Sequence, residues 1–354
     1  MTIYYLLFLS FPVFYILFSK VAIWGNTKLI RACIYGFFVF SILAFRHPSM
    51  GVDLGYNNPR IAGYLNSFQI LSNYSFFEII NTSYLHYEKG YMFFNWFLGH
   101  FGDDYQILLI ASAFLSIIPI MILLYKESVS LELSYIIYLS LQSFVICFSG
   151  LRQGIAVGIC MIAFLFIEKH DWKKFIVLVL IASTFHSSAV FFLPAYPMFF
   201  LKISKNGRLY SVLSIVVIFL LKNPLCFLLG KITKYNITID DNGAITYFLI
   251  FTLVYIFSFL FASDNEKNNG LLNLILLGCF VLAFSSVLIL ASRVGYYYFN
   301  FLALLLPRAL TDIKLKYFKL SAQIICLTCF SIFALYIFYT PSWAMTNPYI
   351  FFWE

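Results

Sequence analysis

The segment "SGLRQGIA" (149–156) sets one arginine between two apolar runs that carry no other charge. A guanidinium stays charged at any physiological pH and grips a phosphate through two parallel N–H bonds. Arg152 therefore reads in two ways: an anion-binding group at the edge of an apolar layer, or an interfacial side chain that snorkels to water. Gly150 and Gly154 beside it permit close backbone approach, and Gln153 adds a polar side chain that needs a partner. His186, in "TFHSSA", titrates near neutral pH and is a candidate general base, with Ser187 and Ser188 able to orient it. A hydrogen-bonded core histidine is the other reading. Arg293, in "ASRVGYYYFN", repeats the placement of Arg152 at the end of an apolar span. The tyrosines after it, Tyr296, Tyr297 and Tyr298, either form an aromatic belt or pack on sugar rings and bond their hydroxyls. A third group lies between residues 46 and 104: Arg46, Asp53, Arg60, Glu88 and Lys89. Asp53 or Glu88 serves as a base, or pairs with Arg46 or Arg60.

No P-loop, GxSxG, HExxH or zinc-ligand spacing occurs. Paired aspartates on the candidate outer loops occur only at 103–104 and 240–241, which argues against a nucleotide-sugar donor held through a metal. Beside their structural readings, these residues leave open a role for a cation and a base, and no metal or cofactor is expected.

The elements that must hold these residues are membrane helices. The chain has 354 residues, 62% hydrophobic and 11% charged. Apolar stretches recur from end to end at lengths suited to a hydrocarbon layer of about 30 Å. Backbone groups in lipid must be satisfied internally, so a helical bundle is expected; a barrel would show short alternating segments. The net charge of +8 lies largely in short loops, as membrane topology places it, and does not point to nucleic acid. The seven cysteines are scattered without a metal-ligand pattern. The N-terminal "MTIYYLLFLS" lacks the marks of a cleaved signal and reads as a retained first helix.

The clearest apolar spans are about 3–19, 32–45, 105–125, 132–148, 154–167, 209–221, 244–262, 271–291, 296–310 and 320–340. The region 173–201 is either one long helix or two short ones meeting at His186. Four basic loops, around Lys20–Arg31, "EKHDWKK", "KISKNGR" and "PRALTDIKLKYFK", fall on the inner side together only if 173–201 is a hairpin and 91–101 does not cross. The expected architecture is then an all-α polytopic membrane protein of about twelve transmembrane helices, with both termini outside. It forms a single integral membrane domain over 1–354, with outer segments at about 46–104 and 222–243. "YMFFNWFLGHF" becomes a short interfacial helix. On this topology Arg152, His186 and Arg293 all lie at the outer face.

The ordered series "RHPSMGVDLGY", "YEKGYMFFNWFL", "GLRQGIAVGICMIAF", "ASTFHSSAVFFLPAYP", "SRVGYYY" and "NPYIFFWE" resembles the EpsG family, Wzy-type polysaccharide polymerases of bacterial envelopes. The resemblance runs along nearly the whole chain. It implies a helical architecture similar to the GT-C glycosyltransferases, in the bacterial inner membrane, with the active site and the 46–104 segment facing the periplasm. It implies a glycan on undecaprenyl diphosphate as donor, and a single lipid-linked repeat unit as acceptor at its non-reducing end. A chain-length regulator and a flippase are candidate partners. In that chemistry Arg152, Arg293 and Arg46 hold the diphosphate, while His186, Asp53 and Glu88 compete as base. Gln153, Arg60, Tyr296 and Tyr297 contact the sugars.

Three other classes compete. A flippase for the same lipid-linked oligosaccharide is commonly built on repeats, and no internal repeat is visible. A membrane acyltransferase would turn its histidine and arginine to a cytoplasmic donor or a channel. An O-antigen ligase carries its large outer loop late in the chain, where here the longest comes early. The identity of the sugars and the linkage is not encoded in any of these residues.

Overall fold

The computed structural model describes residues 2–19, 27–56, 63–84, 86–233, 245–340 and 344–354. Among the described residues the structure is 78% helix with no strand, apart from one isolated bridge between Arg46 and Phe351. In chain order the α-helices are α1 (Thr2–Ser19), α2 (Thr27–Ala44), α3 (Tyr64–Ser72), α4 (Phe76–Asn81), α5 (Lys89–Gly99) and α6 (Tyr105–Glu127). Then follow α7 (Leu131–Leu139), α8 (Gln142–Ser149), α9 (Leu151–Ile167), α10 (Trp172–Ser183), α11 (Ala195–Phe200) and α12 (Lys205–Leu220). The last six are α13 (Lys222–Thr233), α14 (Ile245–Phe261), α15 (Glu266–Leu282), α16 (Ile289–Phe299), α17 (Leu302–Asp312) and α18 (Lys316–Tyr339). The chain divides into two compact units, one of residues 1–190 with 326–354, the other of 191–325.

In the first unit α9 is apolar and buried on nearly every side. A helix hydrophobic all round belongs in the middle of a bundle, and α6, α8 and α10 pack around it, with α2 on the far side of α6. The described residues of the segment 46–104 are largely helical. Its turn at Val52–Leu54 and helices α3 and α5 bury Leu54, Leu65, Phe68, Tyr91 and Leu98 against Leu108 and Leu109 of α6 and Leu151 of α9. A smaller cluster of Leu71, Ile79 and Met92 joins α3, α4 and α5. The eleven-residue helix expected around 91–101 is α5. In the second unit α15 is the central helix, in contact with α11, α12, α14, α16 and α17.

Among the described residues three helices, α2, α6 and α18, are long and apolar enough to cross a membrane. The number rises to six if three bent pairs each count as one span: α7 with α8 at 53°, α12 with the start of α13 at 66°, and α16 with α17 at 51°. These lengths and the apolar composition mark a membrane protein. The number falls short of the twelve or so expected, for a geometric reason. Apolar runs that read as continuous spans are broken by sharp bends, and others stop early. Helix α9 has 17 residues, about 25 Å at 1.5 Å per residue, against a hydrocarbon thickness of about 30 Å. The region 173–201 does divide at His186: α10 ends with Thr184 as its C-cap, and a 3₁₀ turn over Ser187–Phe192 follows. The second outer segment, expected as a loop from 222, begins as helix α13 through Thr233, and residues 234–243 lie outside the described ones.

Candidate active site

Arg152 is the second residue of α9, at the positive end of the helix dipole. A cation there opposes the dipole rather than complementing it, so helix stability is not the reason for its position. Its compensation comes from elsewhere in the fold. Arg152 Nη1 donates to Glu88 Oε2 at 2.6 Å and Nε donates to the Tyr64 hydroxyl at 3.3 Å. The guanidinium carbon lies 4.3 Å from the centre of the Tyr87 ring and 5.8 Å from that of Tyr64. One acid, one hydroxyl and two aromatic faces thus hold the group half-buried in a fixed orientation.

Glu88 is the N-cap residue of α5, where a carboxylate is favoured by the dipole. Its second oxygen, Oε1, accepts the Ser187 N–H at 2.8 Å. Burial by itself would raise the Glu88 carboxyl. The Ser187 N–H, the Arg152 guanidinium, its own N–H and the nearby His186 outweigh burial and hold it below its ordinary value. His186 is half-buried directly after α10, and its Nδ1 lies 3.3 Å from the Ser188 N–H and 3.0 Å from the Ser188 hydroxyl. The end of α10 is fastened to the start of α5 by the Tyr91 N–H, which donates to the Thr184 carbonyl at 3.2 Å. Gly90 makes this approach possible. A Cβ there would stand 2.1 Å from Thr184 Oγ1 and 2.7 Å from its carbonyl oxygen.

Asp53 belongs to the same neighbourhood. Its backbone N–H donates to the Ser149 hydroxyl at 3.0 Å, and its exposed carboxylate acts electrostatically on both Tyr64 and Tyr87. The turn that carries it depends on Gly51, whose φ of 115° is open to glycine but strained for other residues, and which packs on the Phe148 carbonyl. Asp53, Tyr64, Tyr87, Glu88, Arg152 and His186 thus form one cluster inside the first unit. It joins a cation, two carboxylates and an imidazole beside aromatic rings, residue types able to move a proton or pair with an anion.

The family model of the EpsG family matches residues 29–351. The chain belongs to the EpsG family. Members of that family are Wzy-like polymerases. No curated protein and no solved structure matches the chain.

In this EpsG-family chain the other residues singled out by sequence are placed differently. Arg46 is fully buried, and its guanidinium is spent on main-chain carbonyls. Nη1 donates to Leu43, Nη2 to Cys147 at 3.3 Å and Phe148 at 3.2 Å, and Nε to Met50 at 3.4 Å. It caps the carboxyl ends of α2 and α8, where orphan carbonyls need donors, and leaves no open face for a diphosphate. Lys89 does the same for α4 by donating to Ile79, Ile80 and Thr82. Gln153 is buried beside Arg152. In the second unit Arg293 is exposed on α16, but Tyr297 has no exposed surface and packs near Phe192, and Tyr296 is buried against Phe299. Those tyrosines are core residues of that unit and offer no face to a sugar. Arg60 lies outside the described residues. Among the described residues no group of three or more His, Cys, Asp or Glu could hold a metal ion.

Tyr64, Tyr87 and Ser149 join the site without having stood out in the sequence. Tyr87 carried one readable signal, an aromatic ring directly before Glu88; Tyr64 and Ser149 carried none.

Arg46 also supplies a test. Arg46→Ala strands four buried carbonyl contacts at once and is expected to cost about 3 kcal/mol or more. In detergent it should melt well below the native protein by thermal-shift size exclusion. Arg46→Lys, which cannot reach three directions with one ammonium, should recover only part of the loss.

Proposed function

We propose that this chain is a polysaccharide polymerase that transfers a growing glycan from undecaprenyl diphosphate to the non-reducing end of a lipid-linked repeat unit. The reaction takes place on the periplasmic side of the bacterial inner membrane, within a helical architecture akin to the GT-C enzymes. The observation that carries the reading is the Glu88–Arg152–His186 cluster in a chain of this family. Such a transfer needs a hydroxyl to lose its proton and a diphosphate to leave with added negative charge, and a preorganised guanidinium in a half-buried site is suited to that anion. Arg152, in the first unit, is the proposed diphosphate contact. The donor is already activated, so neither a nucleotide nor a metal enters the reaction. A chain-length regulator and a flippase for the same lipid-linked unit are the proposed partners.

Deletion in the native strain followed by glycan-ladder gels tests this. The expected result is loss of long chains with retention of a single core-linked unit. Total loss of surface glycan would instead favour the flippase or ligase reading.

A further inference from the structure

We propose that the second unit carries a binding site for a phospholipid whose headgroup joins a phosphate to a primary ammonium, at the amino ends of α12 and α15. The site lies wholly within residues 191–325 and does not depend on the polymerase reading.

A cavity of about 700 Å³ opens between the end of α11, the link to α12 and the start of α15. Its walls are fastened. Asn273 Nδ2 donates to the Met198 and Leu201 carbonyls at 2.8 and 2.7 Å, which holds the end of α11 on α15. The Phe199 ring lies on Gly270, where a Cβ would stand 2.5 Å from it. Asp312 Oδ2 accepts from the Ser263 N–H and hydroxyl, both at 2.8 Å, and from Asn268 Nδ2 at 3.3 Å, which fixes the chain before α15.

The lining calls for an anion. Ser204 and Asn265, the N-caps of α12 and α15, both line the cavity, so two helices of 16 and 17 residues turn their positive ends toward it. Lys202 lines it as well. A second cation stands behind the wall. Arg208 is only 3% exposed, and its Nη2 donates to the carbonyl of Asn269, a lining residue, at 3.3 Å. Among the described residues its Nη1 is buried without a partner, and it forms no ion pair. A guanidinium held inside a fold without an acid costs several kcal/mol unless a negative charge comes close.

The rest of the lining selects among anions. Asp264 and Glu266 stand exposed at the same rim, and Asp264 Oδ1 is fixed by Asn269 Nδ2 at 2.7 Å. Two carboxylates repel a bare phosphate and suit a phosphate that carries an ammonium beside it. The opposite side is apolar, formed by Phe199, Phe200, Leu201 and Ile203. Leu201 is exposed there, and α12 beyond its first turn exposes Leu209, Tyr210 and Leu213. A free anion has no use for such a surface, whereas acyl chains cover it. The phosphate thus lies at the two helix ends with Lys202, the ammonium toward Asp264 and Glu266, and the chains leave past Leu201.

The test follows thermal melting of the full-length protein in non-ionic detergent. Phosphatidylethanolamine, phosphatidylglycerol or phosphatidylcholine is added at equal mole fraction, or inorganic phosphate alone. Phosphatidylethanolamine is expected to raise the midpoint by about 3 °C or more, as a ligand of the folded state does. Phosphatidylglycerol, which lacks the ammonium, should raise it less. Phosphatidylcholine, whose quaternary ammonium has no N–H to donate, should also raise it less. Lys202→Ala, an exposed substitution, should remove most of the rise. Arg208→Met exchanges a buried charge for an apolar chain, a change that is often neutral or stabilising by itself. It should therefore melt no lower than the native protein without lipid, yet lose most of the response. Asp264→Asn with Glu266→Gln should erase the advantage of phosphatidylethanolamine over phosphatidylglycerol. Equal midpoints with all three lipids would overturn the proposal, as would a native response in Lys202→Ala, which decides the matter if Arg208→Met does not fold. A rise with inorganic phosphate as large as that with phosphatidylethanolamine would overturn the lipid in favour of a soluble anion.

Discussion

Arg152→Ala is expected to abolish long glycan chains while protein remains in the membrane. Removal of one charge-assisted contact to a developing anion in a preorganised site costs on the order of 100- to 1000-fold in rate. The guanidinium is fixed on three sides, by Glu88 at 2.6 Å, by the Tyr64 hydroxyl at 3.3 Å and by the Tyr87 ring at 4.3 Å. Arg152→Lys keeps the charge, but one ammonium cannot bond Glu88 and Tyr64 in the plane of a ring and also meet a diphosphate as a fork. Partial activity at best is therefore expected, with shorter chains on the gel. Normal ladders from Arg152→Ala at normal protein level would show that the arginine only reaches for the interface. Arg152→Ala also leaves Glu88 with the Ser187 N–H but no cation, so protein level must be measured beside the ladder. Arg152→Lys at native abundance keeps the experiment decisive.

Replacement of Glu88 has the second largest expected effect, and it separates position from charge. Glu88→Ala leaves the half-buried Arg152 without its acid and the Ser187 N–H without an acceptor. The expected cost is about 1–3 kcal/mol of stability, below that of a fully buried pair because the two side chains keep 21% and 17% of their surface. Activity should drop at least tenfold as the guanidinium loses its orientation. Glu88→Gln keeps one acceptor oxygen and turns its NH2 against the other donor, so it should be more stable than Glu88→Ala but less stable than the native protein, and lose part of the rate. A double-mutant cycle of Glu88→Gln with Arg152→Lys should be strongly non-additive, since each residue acts through the other; additive losses would show that Glu88 does not position Arg152. The pH dependence has a defined sign. The Glu88 carboxyl lies below its ordinary value of 4.5 in the fold, so its contribution to stability is complete above about pH 5. It is lost as the pH falls through the depressed value. Glu88→Gln should therefore remove an acid-side component of unfolding and leave the neutral plateau flat.

The division of the chain into apolar helices, and the membrane in which they belong, follow from sequence because hydropathy is a local sum along the chain. Bends are different. The run through 131–149 contains no proline or glycine and reads as one helix, yet it turns by 53° between α7 and α8. Nothing local requires that bend; the packing of both halves around α9 and α6 decides it. The bend after Leu220 has a local mark, since Pro224 sits in the first turn of α13, where proline is tolerated. The number of full spans was consequently overestimated from sequence, while the break at His186 was legible from the difficulty of placing basic loops on one side.

The same distinction holds for the site. An arginine amid apolar runs, an imidazole beside two serines and a carboxylate before an aromatic helix were each visible, because a charge among apolar neighbours is costly unless it has a use or a partner. Which of them share a site was not visible. Glu88 meets Arg152 across 64 residues and Ser187 across 99. Such pairings depend on how α5, α9 and α10 pack, and that in turn depends on contacts such as the one Gly90 allows with Thr184. Arg46 and Arg152 look alike in sequence, each an arginine at the end of an apolar run. The fold buries Arg46 among the carbonyls of Leu43, Cys147 and Phe148, and sets Arg152 against an acid and two rings. The sequence by itself determined the kinds of side chain that could do the chemistry and the apolar helices that carry them, because composition and hydropathy act residue by residue. Only the tertiary structure decided which charges cap main-chain carbonyls and which meet an acid and aromatic rings, because a hydrogen bond joins atoms by distance in space, whatever the distance along the chain.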